Sequence, residues 1–380
     1  PPTIAVGVSA FGADVGGGTA LYWSDLLGQH NLMTSVGFAG VGFGNPLHGL
    51  SATAAYQNQK SRWSWGVVGG QVSMVSESYA TGLDVAGGVP IIVDDTIRIL
   101  DIQREAAGVF SYPFNRTSRL EFSSGYRNFA TVAEREQTIY LAETGELIGQ
   151  GSLDLPSVPS IHLATGSAAF VFDTSTSAGL SPIHGERSRF EVSANAGSLQ
   201  FTTALVDYRR YFRLPEKLSL AGRFLHFGRY GKESDDVRLQ DVSIGYASLV
   251  RGYSIGSFTA NECGASLQIN GACPALDQLF GSRIAVANAE LRLPLLGPFA
   301  AITTRSVPPV EAAAFYDAGA AWRKTETIPV FGDGSRHLVR SYGGTFRMNL
   351  LGFAIGQVSY VRPLDRGKGW HFEFALTSGF

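Results

Sequence analysis

The segment Gly369–Phe380 reads GWHFEFALTSGF, and its alternation decides how the rest of the chain is read. Trp370, Phe372, Phe374, Leu376 and Phe380 share one parity, and His371, Glu373, Ala375, Thr377 and Gly379 the other. A period of two puts successive side chains on opposite faces of a strand. One face is therefore large and apolar, the other small or polar. The same pattern recurs in RSYGGTFRMNLLG (340–352), where Tyr342, Phe346, Met348 and Leu350 oppose Ser341, Thr345, Arg347 and Asn349. It recurs again in GERSRFEVSANAG (185–197), with Phe190, Val192 and Ala194 against Arg189, Glu191, Ser193 and Asn195.

Composition agrees with strands. Among 380 residues, 46 are Gly, aromatics make up 11% and charged residues only 16%. Gly is costly in helices, whereas aromatic and β-branched residues suit a pleated surface. A soluble sandwich would also alternate. Two features favour a membrane barrel instead. The segments are long, and aromatics sit near strand ends, as Tyr208 and Phe212 do in FTTALVDYRRYF (201–212). The predicted fold is thus all-β, a transmembrane antiparallel barrel of about sixteen strands. An even number returns both ends of the chain to one side of the membrane.

Connections alternate in length. SDLLGQHN (24–31), NQKSRW (58–63) and FRLPEKLS (212–219) are short, whereas 76–95 and 142–160 are predicted as long loops of the opposite rim. Residues 1–380 are read as a single barrel domain, with 1–18 as an entry segment. Gly-rich GADVGGG (12–18) would give the first strand a flexible start. DVSIGYASLV (241–250) is taken as a strand and 250–280 as the loop that follows it.

Several functions are excluded or disfavoured. A net charge of -2 leaves no basic footprint for nucleic acid. No apolar run is long enough for a membrane helix, and no signal peptide opens the chain. Seven scattered His form no metal-binding pattern, and neither a nucleophile elbow nor a phosphate loop is present. Enzymatic activity, catalytic residues, metals and cofactors are therefore not expected.

The C-terminal half carries a constellation. Val250, Arg251, Gly252 and Tyr253 form a VRGY loop motif. An N-x-E strand follows at Asn288–Glu290, then F-x-D-x-G at Phe315, Asp317 and Gly319, and finally a terminal aromatic, Phe380. FDTSTSAGLSPIHGERSRFEV (172–192) looks like the turn ahead of an eighth strand. In this order the motifs resemble the BamA/TamA-type outer-membrane protein superfamily, also called the bacterial surface antigen family.

The resemblance implies a sixteen-stranded barrel in the bacterial outer membrane of a Gram-negative cell. Its sixth outer loop folds inward, and its first and last strands meet at a weak seam. It also implies that Arg251 reaches into the barrel toward Asp317 and Glu290. Parity supports this independently: Phe315, Asp317 and Gly319 share one face, and Glu290 and Arg292 share another, opposite Ala289, Leu291 and Leu293. A guanidinium between carboxylates forms forked, charge-assisted hydrogen bonds that Lys does not reproduce.

Cys263 and Cys273 lie in the loop after VRGY. A disulfide between them is expected in an oxidising outer compartment. The closing strand, carrying Trp370, Phe372, Phe374, Leu376 and Phe380, is expected to pair with the segment near Thr19–Leu26.

Function stays open among three classes. The first is assembly, insertion or translocation of protein clients through an openable seam. The second is a membrane anchor for a partner subunit or for an N-terminal domain such as a TolB-like propeller, since no POTRA domain is seen in the chain. The third is a passive pore. Lipid and lipopolysaccharide are the expected surroundings, with client or partner proteins beyond them.

Overall fold

The computed structural model describes residues 2–9, 12–39, 49–156, 158–177, 180–264, 273–297, 300, 302–303, 308–328, 334–350 and 354–378. Phe380 lies outside the described residues. Regular structure among them is strand, apart from a 3-10 turn at Ile255–Ser257 and one-turn helices at Ala260–Cys263 and Pro274–Asp277. No described helix is long and apolar enough to cross a membrane. Nineteen strands belong to one sheet. The chain divides into two compact units: Pro1–Tyr112 with Phe122–Gly166 and Asn195–Leu199, and Pro113–Glu121 with Ser167–Ala194 and Gln200–Phe380.

The first unit is built on β1 (Pro2–Ser9), β2 (Gly12–Ser24), β3 (His30–Ala39), β4 (Leu50–Asn58), β5 (Ser64–Ala86), β6 (Val89–Pro113), β7 (Ser118–Leu141) and β8 (Leu147–Asp154). Three sequence expectations are corrected here. The entry segment is a hairpin: β1 pairs with β2 from Pro2↔Thr19 to Ser9↔Gly12, so Gly12–Gly18 is strand rather than a flexible lead-in. Gly is depleted in strands and masks one when it comes in runs. Here Gly16 is paired on both sides, with Ala5 and with Ala39.

The predicted long loops 76–95 and 142–160 are also largely strand. β5 and β6 stay in register from Ser64↔Ser111 to Ala86↔Val89. They turn at Gly87 and Gly88, whose φ of 61° and 85° suit a two-residue hairpin turn. β8 pairs with β7 from Glu134↔Asp154 to Tyr140↔Leu147. Gly82, Asp84, Gly87, Gly88, Pro90, Asp94 and Asp95 in one segment, and Gly145, Gly149 and Gly151 in the other, read as turn and loop residues from sequence. Arg135–Asp95 and Arg98–Glu136, each 2.6 Å, link β6 to β7 where apolar pairs would otherwise sit.

The second unit carries most of β9 (Ile161–Asp173) and β11 (Pro182–Gly197), with the two-residue β10 (Thr176–Ser177) between them. It continues through β12 (Phe201–Arg213), β13 (Ser219–Tyr230), β14 (Val242–Ser243), β15 (Phe280–Gly281), β16 (Arg283–Gly297), β17 (Ile302–Thr303), β18 (Val310–Trp322), β19 (Val339–Leu350), β20 (Ala354–Pro363) and β21 (His371–Ser378). Antiparallel ladders join β12 to β13, β13 to β16, β16 to β18, β18 to β19, β19 to β20 and β20 to β21.

DVSIGYASLV is not a strand of this sheet. Only Val242 and Ser243 are extended, paired with Gly281 and Phe280 in a separate small sheet. Its apolar alternation instead reflects burial. Ile244 and Val250 join Leu225, Tyr253, Leu279, Ile284, Val286, Ala321 and Val339 in one apolar cluster. Of the sixteen predicted strands, this one drops out. β1 and β8 were missed, so seventeen strands longer than two residues are described.

In the second unit the outward face of the sheet is apolar, and the interior combines the apolar cluster with buried charged and polar residues. Phe374 and Leu376 are 75% and 76% exposed, and Phe346, Met348, Phe372 and Tyr316 are exposed too. The buried face of the sheet holds Glu290, Glu311, Asp317, Ser341 and Ser359, and the loop residue Arg251 is buried against it. A sheet with a continuous apolar outer face and charged residues buried within is suited to lipid outside.

Candidate functional site

Asp317 is fully buried on β18, its side chain on the face opposite exposed Tyr316. Period-two geometry puts Phe315 and Glu311 on that same buried face. β16 lies alongside, with Asn288 opposite Asp317 and Glu290 opposite Phe315. The loop residue Arg251, 4% exposed, enters between them.

Its guanidinium grips Asp317 with two parallel bonds, Nε to Oδ2 and Nη2 to Oδ1, both 2.7 Å. Nη1 donates to Glu290 Oε1 at 2.7 Å, and the Arg251 backbone N–H adds a bond to Asp317 Oδ2 at 3.2 Å. The Arg251 guanidinium carbon lies 3.5 Å from the centroid of the Phe315 ring, a cation–π contact. Asn288 Nδ2 donates both to Asp317 Oδ1 and to Leu249 O, each at 2.8 Å. The strand bearing Asp317 and the loop bearing Arg251 are thus joined twice.

Glu290 is shared. Arg347 on β19 donates to it from Nη2 at 2.6 Å and Nη1 at 3.0 Å, and Arg292 Nε donates at 2.7 Å. Arg347 also reaches Glu311 at 3.0 Å, and Ser181 Oγ donates to the same Glu311 oxygen at 2.8 Å. Arg251, Arg292 and Arg347 face Asp317, Glu290 and Glu311, so the formal charges cancel. Cancellation matters because an unpaired buried charge costs several kcal/mol.

A second set of contacts ties the same loop to the last hairpin. Glu373 on β21 accepts from the Gly252 N–H at 2.9 Å and from the Ser254 hydroxyl. Arg366, in the turn before β21, donates to Gly252 O at 2.9 Å and to both Glu262 oxygens at 2.6 and 2.7 Å. Its guanidinium carbon sits 3.8 Å from the Phe258 ring centroid. Arg366 holds the Glu262 carboxyl down to about 2, through hydrogen bonding first. Tyr253 OH donates to Arg340 O and accepts from the Asp365 N–H, both at 3.0 Å. Burial pushes this phenol up to about 12.

Two glycines make the approach possible. Gly252 has φ of 83°, a conformation that favours residues without Cβ, and a Cβ there would meet Val361 Cγ2 at 2.9 Å. On β18, a Cβ at Gly319 would meet Val250 Cγ2 at 2.7 Å.

The structure thus brings Val250, Arg251, Gly252, Tyr253, Glu290, Phe315, Asp317 and Gly319 together. Cys263 and Cys273 are bonded, with Cα atoms 4.4 Å apart. Trp370, Phe372, Phe374 and Leu376 lie on the exposed face beside β20, and Trp370 stacks on Tyr360 at 4.8 Å. Sequence reasoning missed Glu373, Arg366 and the sharing of Glu290 by Arg347. Glu373 and Arg347 were visible as members of a polar parity. Nothing in their spacing paired them with a loop more than a hundred residues away or with a strand two positions along the sheet.

The Omp85 superfamily domain matches residues 94–376. Among solved structures, BamA from Haemophilus ducreyi lacking POTRA domains 1–3 is similar with a TM-score of 0.59 at 15% identity, over 100% of this chain and 70% of that one. CdiB from Acinetobacter baumannii gives 0.51 at 11% identity, over 99% of this chain and 59% of that one. CdiB from Escherichia coli gives 0.54 at 11%, over 100% and 62%. The chain thus spans less than two thirds of either CdiB. No curated protein sequence matches it. At these identities the likeness shows the fold, an antiparallel transmembrane β-barrel.

Proposed function

The chain belongs to the Omp85 superfamily and is an integral outer-membrane β-barrel protein, and from that premise we propose that it assembles protein clients into the outer membrane or moves them across it. The observation that carries this reading is the pair Gly252–Glu373: the loop held by Arg251 is also bonded to the terminal strand. In this reading β21 meets the Ala20–Leu26 part of the segment expected from sequence at an openable seam, since Thr19 is already paired with Pro2 and Val36. A parted seam offers unpaired backbone groups to a client strand, which is β-augmentation. Any displacement of β21 pulls on Glu373, and through Gly252 on Arg251. The loop therefore sets how readily β21 moves.

The loop also fills space on the buried side of β16, β18 and β19, which disfavours a passive pore. The exposed Phe346, Met348, Phe372, Phe374 and Leu376 would face lipid, with lipopolysaccharide in the outer leaflet. No catalytic step belongs to this function.

The test places one cysteine within Phe372–Leu376 and one within Ala20–Ser24, screened for the pair that cross-links on oxidation. The protein is then reconstituted in liposomes with an unfolded outer-membrane protein as client. The expected result is client folding by the reduced protein, loss of it on oxidation and recovery with a thiol reductant. Full client folding by the oxidised protein would contradict the seam. A reduced protein that folds no client would favour the anchor reading, and sugar flux through the oxidised protein would favour the pore.

A further inference from the structure

A cavity of about 180 Å³ lies on the buried side of the second unit, lined in part by the ionic cluster and extending beyond it to Arg187, Arg209 and Arg223. Six arginines line it: Arg187, Arg209, Arg223, Arg251, Arg292 and Arg347. They come from β11, β12, β13, β16, β19 and the loop, so the guanidiniums converge from different elements of the fold.

The carboxylates paired with these arginines are fewer. Arg187 faces Asp173 at 3.3 Å. Arg209 and Arg223 share Asp207, at 2.6 and 3.1 Å. Arg251, Arg292 and Arg347 are served by Asp317, Glu290 and Glu311. Among the described residues, six guanidiniums therefore meet five carboxylates, leaving one positive charge. The Arg292 guanidinium rests 5.8 Å from the Tyr211 ring centroid, which helps fix its plane. No lysine lines the cavity. Cations supplied by arginine alone suit a planar, bidentate partner.

We propose that this cavity binds a single carboxylate presented by a polypeptide, either a chain's C-terminal carboxyl or an acidic side chain. One monoanion neutralises the surplus charge. A phosphate group, carrying about -1.5 to -2 at neutral pH, would overshoot it. Three of the carboxylates paired here, Asp207, Asp317 and Glu290, are already held in guanidinium forks. That the carboxylate arrives on a polypeptide rests on the function proposed above; the preference for a carboxylate does not.

The experiment uses the full chain purified in detergent, with no client-folding activity required. Calorimetric titration compares a six-residue peptide with a free C-terminal carboxyl, the same peptide as its amide, and inorganic phosphate. The free-carboxyl peptide is expected to bind at least tenfold more tightly than the amide. Arg209→Gln combined with Arg292→Gln should erase that preference, whereas Arg119→Gln, outside the cavity, should leave it intact. Equal binding of carboxyl and amide peptides overturns the proposal, as does phosphate binding without carboxylate preference. A preference that survives the double substitution overturns the location. The wild-type comparison holds even where the double variant fails to fold. Carboxylate binding by a protein that folds no client would keep the site and sink the function, and the reverse result would do the opposite.

Discussion

Gly252 and Glu373 are 121 positions apart in sequence and joined by a 2.9 Å hydrogen bond from the glycine N–H to the carboxylate. The bond links the loop that holds the ionic cluster to the strand that ends the sheet. The donor at one end is a backbone N–H, so the carboxylate is the end that a substitution can address without disturbing the chain at Gly252. At the other end the carboxylate serves two donors, Gly252 and Ser254.

Glu373→Ala removes both acceptors and leaves the Gly252 N–H unpaired beside Val361. Amide exchange at Gly252 should accelerate at least tenfold, with little change in β13 or β16. Glu373→Gln keeps an acceptor oxygen and should lie between wild type and alanine. Unchanged exchange in Glu373→Ala would show that the bond does not hold the loop.

The Gly319→Ala variant tests packing rather than charge. Its new Cβ would meet Val250 Cγ2 at 2.7 Å, while Val250 itself is fully buried. Overpacking of this kind costs about 1–3 kcal/mol. The unfolding temperature of the barrel, followed by its shifted migration on unboiled gels, should fall, and Val250→Ala should recover part of the loss in the double variant.

Low pH should loosen the outer end of the loop in a defined window. Glu262 ordinarily titrates near 4.5, and Arg366 holds it at about 2 in the folded protein. Its folded value lies below its unfolded one, so its stabilisation is present above pH 4.5 and lost as pH falls toward 2. Protease cleavage within residues 258–264 should rise across that window. Glu262→Gln should cleave at the same raised rate at neutral pH and show no step.

Much of this fold was legible because lipid reverses the burial rule. Phe372, Phe374 and Leu376 alternate with His371, Glu373 and Ala375 in sequence, and the structure exposes the apolar set. Alternation failed where its cause differed. Ile244 and Val250 alternate because they pack in an interior cluster, not because they lie on a strand of the sheet. The reverse failure affected β8 and the far ends of β5 and β6, where glycines and acidic residues interrupt the alternation and read as loop. Within the site, Arg251, Asp317 and Glu290 were placed by motif and parity together. Arg366 was not, because a turn arginine beside Asp365 looks like an ordinary solvated charge, and only the fold brings Glu262 and Phe258 to it.

Arg251→Lys separates charge from geometry. The ammonium keeps one positive charge among the carboxylates but forms no fork with Asp317. Stability on unboiled gels should be intermediate between wild type and Arg251→Ala. For alanine, loss of one partner of a buried pair costs about 3–5 kcal/mol, and less where water reaches the site.

The central claim is that Arg251 is held inside the protein by Asp317 rather than lying loose in a loop. A double-mutant cycle with Arg251→Ala, Asp317→Ala and the combined variant measures this directly, with unfolding followed for each. Removing Arg251 leaves Asp317 buried without a cation, and removing Asp317 leaves Arg251 with Glu290 alone, so the double variant should cost less than the sum of the single variants. The coupling should reach about 2 kcal/mol or more, whereas independent sites add to within about 0.5 kcal/mol. Losses that simply add would contradict the account.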